Sequence, residues 1–319
     1  MHRTISRRVV LLGCLGLATQ KAAAQRSRIW RVAYLVSGRS SATAPVIKDT
    51  LRSLGYEEGK NLVFDVREAE GRYSALPELM RQLLQSKPDV IIAEATPAIA
   101  VAQKATSTIP IVMSPSTDPI GSGFVKSFAK PGGNITGVAN MFGDLTAKTL
   151  DIVRLVFPNV RTLGVLTSNN PTHPALFEVA RHAAAKIGIS ADRYIAPNPE
   201  DVKKAYQDMS DAGCDVVYVL ADPIRPSLPS IALEYQLPSV FQVNSYTELG
   251  GLMSYGPDIL PLFVKAAHYV DRILKGGNPA EIPVEQPTQF VFAINLRTAK
   301  ALGLSIPENV LIMADKVIE

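Results

Sequence analysis

Short apolar segments alternate with helical patterns along nearly the whole chain, and this alternation restricts the fold more than any other feature. Residues 29–36, 61–67, 88–93 and 109–113 read as strands, and residues 44–54, 73–85 and 97–105 between them read as helices. Within 73–85, Leu76, Leu79, Met80, Leu83 and Leu84 recur at helical spacing. Gly55 closes the helix before it, as helix ends prefer. Parallel strands need a crossover, usually a helix, so strict alternation predicts a parallel sheet with helices on both faces.

The stretch from Ile109 to Val138 ends this first unit. Its apolar run stops abruptly in Ser114-Pro115-Ser116-Thr117-Asp118-Pro119, as when a buried parallel strand delivers a loop to the carboxyl edge of its sheet. Open α/β sheets bind ligands at that edge. Pro131-Gly132-Gly133-Asn134 can be neither helix nor central strand, and reads as the approach to a passage between two lobes. The pattern then restarts, with strands at 162–166, 190–195, 215–220 and 239–243 and helices at 145–156, 175–187, 199–212 and 227–235. The strand pair at 89–92 and 110–112 is echoed by the pair at 215–218 and 238–240, a weak internal repeat that argues for two similar lobes. Glycine-bounded residues 250–257 read as a return to the first lobe, followed by a helix at 259–274, an extended segment at 289–294 and a helix at 296–302. Three extended crossings make a hinge. The expected division is 25–138 plus about 256–286 for one lobe and 139–255 plus about 287–319 for the other.

Residues 1–24 read as an export signal and stand outside the fold argument: Arg7-Arg8 precede an apolar run from Val9 to Ala18, with small residues at Ala22-Ala23-Ala24. The run is too short for a bilayer, which takes about 20 apolar residues. Cleavage after Ala24 is expected, by the twin-arginine or the general secretory route, with lipid attachment at Cys14 as the alternative. Four of the 33 basic residues (Arg3, Arg7, Arg8, Lys21) lie in this segment, leaving 29 against 29 acidic residues. The mature protein is neutral and gives no reason to expect nucleic acid or a membrane surface as partner. Only Cys214 survives processing, which excludes an intrachain disulfide.

Catalytic and metal-binding patterns are missing. His173, His182 and His268 have no partner at metal-ligand spacing, no Gly-x-Ser-x-Gly elbow occurs, and Gly121-Ser122-Gly123 lacks the third glycine of a dinucleotide fingerprint. No cofactor is expected. Small polar residues recur at strand ends instead: Ser37, Arg39 and Ser40; Glu94 and Thr96; Ser114, Thr117 and Asp118; Thr167 and Asn169; Asp222; Asn244. Each alone is an ordinary cap or turn former, but facing lobes would point the whole set into one cleft. The candidate ligand-binding set is drawn from these residues without Glu94, and Asn140 and Tyr255 complete it. In this reading Arg39 clamps a carboxylate, Asp118 or Asp222 holds an ammonium group, and Tyr34, Tyr73, Tyr255 and Phe142 supply apolar walls.

Longer motifs resemble a known family. Residues 118–137 (Asp118-Pro119-Ile120-Gly121-Ser122-Gly123 through Pro131-Gly132-Gly133-Asn134-Ile135-Thr136-Gly137), Gly250-Gly251-Leu252-Met253-Ser254-Tyr255-Gly256, Tyr269-Val270-Asp271-Arg272-Ile273-Leu274-Lys275-Gly276, Pro283-Val284-Glu285-Gln286-Pro287-Thr288, Asn295–Leu304 and Ala314–Ile318 are similar to the TrpX-like tryptophan- and tyrosine-binding group of ABC-importer solute-binding proteins. The resemblance implies an α/β type I periplasmic-binding fold, two similar Rossmann-like lobes with parallel sheets and a three-segment hinge. It implies an exported, monomeric, non-enzymatic protein that captures a small solute, an amino acid or an aromatic carboxylate, and hands it to an inner-membrane permease with its ATPase. The alternative is a periplasmic sensor that presents the solute to a signalling receptor. The chain departs from the group at the proline-rich 222–229 and at Val243-Asn244-Ser245-Tyr246, where specificity would be set.

Overall fold

The computed structural model describes residues 28–223 and 225–319. Residues 1–24, expected to be an export signal and including Cys14, and Ile224 lie outside the described residues. Two sheets organise the chain. The first has the order β2-β1-β3-β4-β5, from β1 (Trp30–Val36), β2 (Leu62–Glu68), β3 (Val90–Glu94), β4 (Ile111–Ser116) and β5 (Ile135–Ala139), all parallel. The second has the order β12-β11-β10-β9-β8-β6-β7, from β6 (Thr162–Thr167), β7 (Ser190–Ile195), β8 (Val216–Val219), β9 (Ser239–Phe241), β10 (Met253–Pro257), β11 (Phe290–Asn295) and β12 (Lys316–Ile318). Strands β7, β6, β8, β9 and β10 repeat the order of the first sheet. The sheet is not wholly parallel, because β11 runs antiparallel to β10.

The helices are α1 (Thr43–Ser53), α2 (Leu76–Gln85), α3 (Ala95–Ala105), α4 (Phe142–Val156), α5 (His173–Lys186), α6 (Val202–Asp211), α7 (Leu228–Glu234), α8 (Ser245–Glu248), α9 (Leu260–Leu274), α10 (Leu296–Ala301) and α11 (Glu308–Met313). Burial on both faces explains why the strands read as unbroken apolar runs. Along β1, Val32, Tyr34 and Val36 enter one core while Ala33 and Leu35 enter the core on the opposite face. Around the second sheet, Val216 and Tyr218 of β8 pack into one core and Val217 and Val219 into the other. Cys214 is a buried thiol beside the Tyr194 hydroxyl, at 3.6 Å.

The chain passes between the sheets after β5, after β10 and before β11. The crossings run close together. The Glu285 N–H donates to the Gly137 carbonyl at 3.1 Å, and the Ala139 N–H donates to the Glu285 carbonyl at 2.8 Å. Helix α9 follows a strand of the second sheet but packs against α1 and the first, with Tyr56 donating to the buried Asp271 at 2.9 Å. Four elements are absent from the sequence reading: β5, α11, β12 and the short α8. Strand β5 hides behind Pro131-Gly132-Gly133-Asn134, and it is an edge strand that needs only one partner ladder.

Gly137 shows how tightly β5 presses on β4. Its φ is +130°, and a Cβ there would lie 2.5 Å from the Met113 nitrogen and 2.6 Å from the Met113 oxygen. Backbone on one side and an unfavourable φ on the other leave no relief. Gly137→Ala should lower stability by about 3 kcal/mol, read as a fall in the urea midpoint at unchanged slope. A midpoint equal to wild type would show that β5 is free to move away.

Candidate functional site

The carboxyl ends of both sheets face a cavity of about 390 Å³. Gly38 follows β1, Glu94 ends β3, Pro115 lies in β4 and Thr117 just past it, and Asn140 follows β5. From the second sheet come Asn170 after β6, Asp222 and Pro223 after β8 and Val243 after β9. Phe142, Pro226, Leu249, Ile259 and Phe263 add apolar surface. Pockets that bury small ligands commonly span about 300–1,000 Å³, mostly apolar with a few placed polar groups. The lobes also touch: a Cβ on Gly38 would lie 2.6 Å from the Pro223 Cβ, so only glycine permits this approach.

On the second sheet's side, Asp222 is the centre of a buried network. Arg225 donates to it at 2.9 Å, and the two side chains are only 9% and 7% exposed. Tyr73, packed on the first sheet, reaches across and donates its hydroxyl to the same carboxylate. Burial, then the Asp222 charge, pushes the Tyr73 pKa well above its ordinary value, so the hydroxyl keeps its proton. Beneath lies His173, 1% exposed. The Ser168 N–H donates to its Nδ1 at 2.7 Å, which leaves Nε2–H to donate to the Ala221 carbonyl at 3.1 Å. Burial lowers the His173 pKa, so the ring is neutral and fixes the backbone next to Asp222.

On the first sheet's side, β3 runs straight into α3. Glu94 ends the strand and Ala95 begins the helix at φ +63°. A non-glycine residue in that region carries strain of about 1–3 kcal/mol, which proteins concentrate at functional positions. The turn holds the half-buried Glu94 on the cavity wall, where Tyr34 donates to its carboxylate and Thr43 donates at 3.2 Å. Removal from water raises the Glu94 pKa to about 7. Between the two sides, Asn140 donates to Thr117 Oγ1 at 2.8 Å. This pair and Phe142 separate the cavity from a larger groove of about 610 Å³ that runs over Thr96, Gln103, Asp118, Asp144 and Thr172.

The expected site residues divide accordingly. Arg39, Thr117, Asn140 and Asp222 line the cavity, while Thr96 and Asp118 line the groove together with Thr117 and Asn140. Arg39 pairs with Glu70 at 2.9 Å. Asp118 caps its own loop, accepting from the Gly121 N–H at 2.9 Å. Thr167 donates to the Tyr194 carbonyl at 3.0 Å beside a small void. The others serve the scaffold. Ser37 donates to the Glu94 carbonyl at 2.8 Å and accepts from the Ala98 N–H at 3.2 Å. Ser40 binds Glu68, and Asn244 accepts from Ser254 at 3.2 Å. Asn169 is exposed while its neighbour Asn170 reaches the cavity. Tyr255 packs edge-on to Phe292 at 6.4 Å, away from both cavities. Ser114 Oγ is buried and is the one such side-chain atom without a hydrogen-bond partner among the described residues.

Phe263 carries no signal in the sequence, whereas Pro223, Arg225 and Pro226 fall within a segment where specificity is expected, though none is marked individually. The proline-rich 222–229 was the available signal, and it proves to be a wall of the cavity. No cluster of three or more metal-ligating side chains occurs among the described residues.

The family described as "ABC transporter substrate binding protein" matches residues 31–318. The chain belongs to this family. A curated relative, a tyrosine-binding protein of Clostridioides difficile, is 28% identical over 267 residues, covering 80% of this chain and 74% of that protein. Among solved structures, a conserved domain protein of Vibrio cholerae is 32% identical at a TM-score of 0.85, covering 91% of this chain and 100% of that one. A Streptococcus pneumonia ABC domain in complex with L-Trp is 28% identical at a TM-score of 0.81, with the same coverages.

In this substrate-binding protein the Asp222–Arg225 pair is open to a direct test. Arg225→Met strands a charge in a nearly dry site and should cost about 3–5 kcal/mol of stability. Asp222→Asn combined with Arg225→Met should recover most of that loss in a double-mutant cycle by urea denaturation. Strict additivity of the two single effects would contradict the pairing.

Proposed function

We propose that the protein captures a small solute with an apolar, preferably aromatic body and a charged head, an amino acid before an aromatic carboxylate, and delivers it to an ABC permease. The observation that carries this reading is the cavity, with walls from the strand ends of both sheets. A solute there touches both lobes at once. It therefore binds the closed arrangement better than an open one, and shifts the equilibrium toward closure by that difference in affinity. The crossings near residues 140, 258 and 287 are the proposed hinge, and divide the chain into lobes of about 25–138 with 256–286 and 139–255 with 287–319.

Apolar wall and polar floor match an amphiphilic ligand. Phe142, Phe263, Ile259 and the prolines suit an aromatic ring, while Glu94, Thr117, Asn140 and Asp222 offer hydrogen-bonding groups for its head. The relatives' names agree, one as a tyrosine-binding protein and one in complex with L-Trp. No helix among the described residues is long and apolar enough to cross a membrane.

A thermal-shift panel of the mature protein against aromatic and aliphatic amino acids, aromatic carboxylates, dicarboxylates and sugars tests the reading. A ligand at 100 times its dissociation constant stabilises the folded state by about 2.7 kcal/mol, so the melting temperature must rise with the aromatic amino acids. A rise with sugars alone would contradict the proposed solute class, and no rise with any class would contradict solute capture.

A further inference from the structure

We infer that Glu94 is the counter-ion that holds the ammonium group of the captured solute, which makes the ligand an amine-bearing acid and not its deaminated analogue. This rests on the capture reading above and goes beyond it, because it chooses between the two chemical classes left open and names the residue that decides.

The charges around the cavity are unevenly paired. Three ionisable side chains line it: Arg39, Glu94 and Asp222. Arg39 has Glu70 at 2.9 Å, and Asp222 has Arg225 at 2.9 Å together with the Tyr73 hydroxyl. Asp222 is thus already neutralised. Glu94 has no cation within 4.0 Å among the described residues; its partners are the hydroxyls of Tyr34 and Thr43. A carboxylate partly removed from water and without a positive partner either takes up a proton or receives a cation from outside. Hydroxyl donors leave lone pairs of Glu94 unused, and a primary ammonium supplies three N–H donors in one compact charge. The strained turn at Ala95 is the local device that keeps this carboxylate at the cavity wall.

Other charged groups near Glu94 do not interfere with a pH test between 5.5 and 8. Tyr34, from β1, has a pKa held well above its ordinary value by burial and keeps its proton. Glu68, from β2, is engaged by Ser40. Arg39 is held by Glu70, Asp222 by Arg225, and His173 below Asp222 is neutral. In the empty protein Glu94 titrates near 7, whereas contact with an ammonium favours its ionised form. Its pKa therefore falls on binding, a proton is released, and affinity rises with pH until Glu94 is ionised in the empty site. Taking 7 for the empty site, affinity at pH 8 should exceed that at pH 5.5 by about 30-fold.

The experiment is calorimetric titration of the mature protein and of Glu94→Gln with L-tryptophan, L-tyrosine and their deaminated analogues, indole-3-propionate and 3-(4-hydroxyphenyl)propionate, at pH 5.5 and 8. Wild type should prefer the amino acids, more so at pH 8, and release a proton on binding. Glu94→Gln should bind the amino acids about 10- to 100-fold more weakly, lose the pH dependence, and keep its affinity for the analogues. Wild-type binding of the amino acids with the same affinity and pH profile in Glu94→Gln would overturn the assignment and leave solute capture standing. Preference of wild type for the analogues would do the same. Should Glu94→Gln fail to fold, the wild-type pH profile and its discrimination against the analogues decide the matter without any variant. Failure of wild type to bind any of the four would count against the aromatic-ligand reading itself, and the assignment would fall with it.

Discussion

The cleft depends on the burial of Asp222 against Arg225. Two charges removed from water cost several kcal/mol each unless they pair with good geometry, so this pair fixes the chain after β8 in one conformation. His173 reinforces it from below through the Ala221 carbonyl, and Tyr73 reads it from across the cleft. That last contact turns a local feature of one lobe into an interlobe contact. It exists only when the lobes are close, and it places Gly38 against Pro223 at the same time. Electrostatics and close packing thus select the same relative position of the two sheets.

The opposite side of the cavity has the complementary property. Glu94 is half-buried at the cavity wall, and no cation lies within 4.0 Å of it among the described residues. One carboxylate is satisfied within the protein, and the other is left for a ligand. A cavity in which both were paired would have no preference for charge, and one in which neither was paired would be unstable when empty. The apolar remainder, Phe142, Ile259, Phe263 and the prolines, contributes affinity through area, while the unpaired charge contributes selectivity.

Much of the architecture was legible because its signals are local. Strands buried on both faces show as continuous apolar runs, as residues 88–93 and 215–220 do. The site was legible only in part. Polar residues at strand ends are visible in the sequence, yet which of two adjacent residues turns inward is a matter of half a strand repeat. Asn170 lines the cavity while Asn169 is exposed. Ser37, Ser40 and Asn244 carry the same residue types as cavity residues but spend them on backbone and scaffold partners, a choice made by three-dimensional neighbours such as Glu68 and Ser254. Glu94 appeared in sequence as one more strand-end residue. Only the structure shows that, among the described residues, Asp222 has a cation and Glu94 does not.

The central claim is that a solute binds between the strand ends, in contact with both sheets. A crystal structure of the protein grown with the tightest-binding amino acid tests it most directly. Density is expected in the smaller cavity, with the ammonium group at Glu94 and the ring against Phe142 and Phe263. Density in the larger groove, beside Gln103, Asp144 and Thr172, with the smaller cavity holding only water, would contradict it.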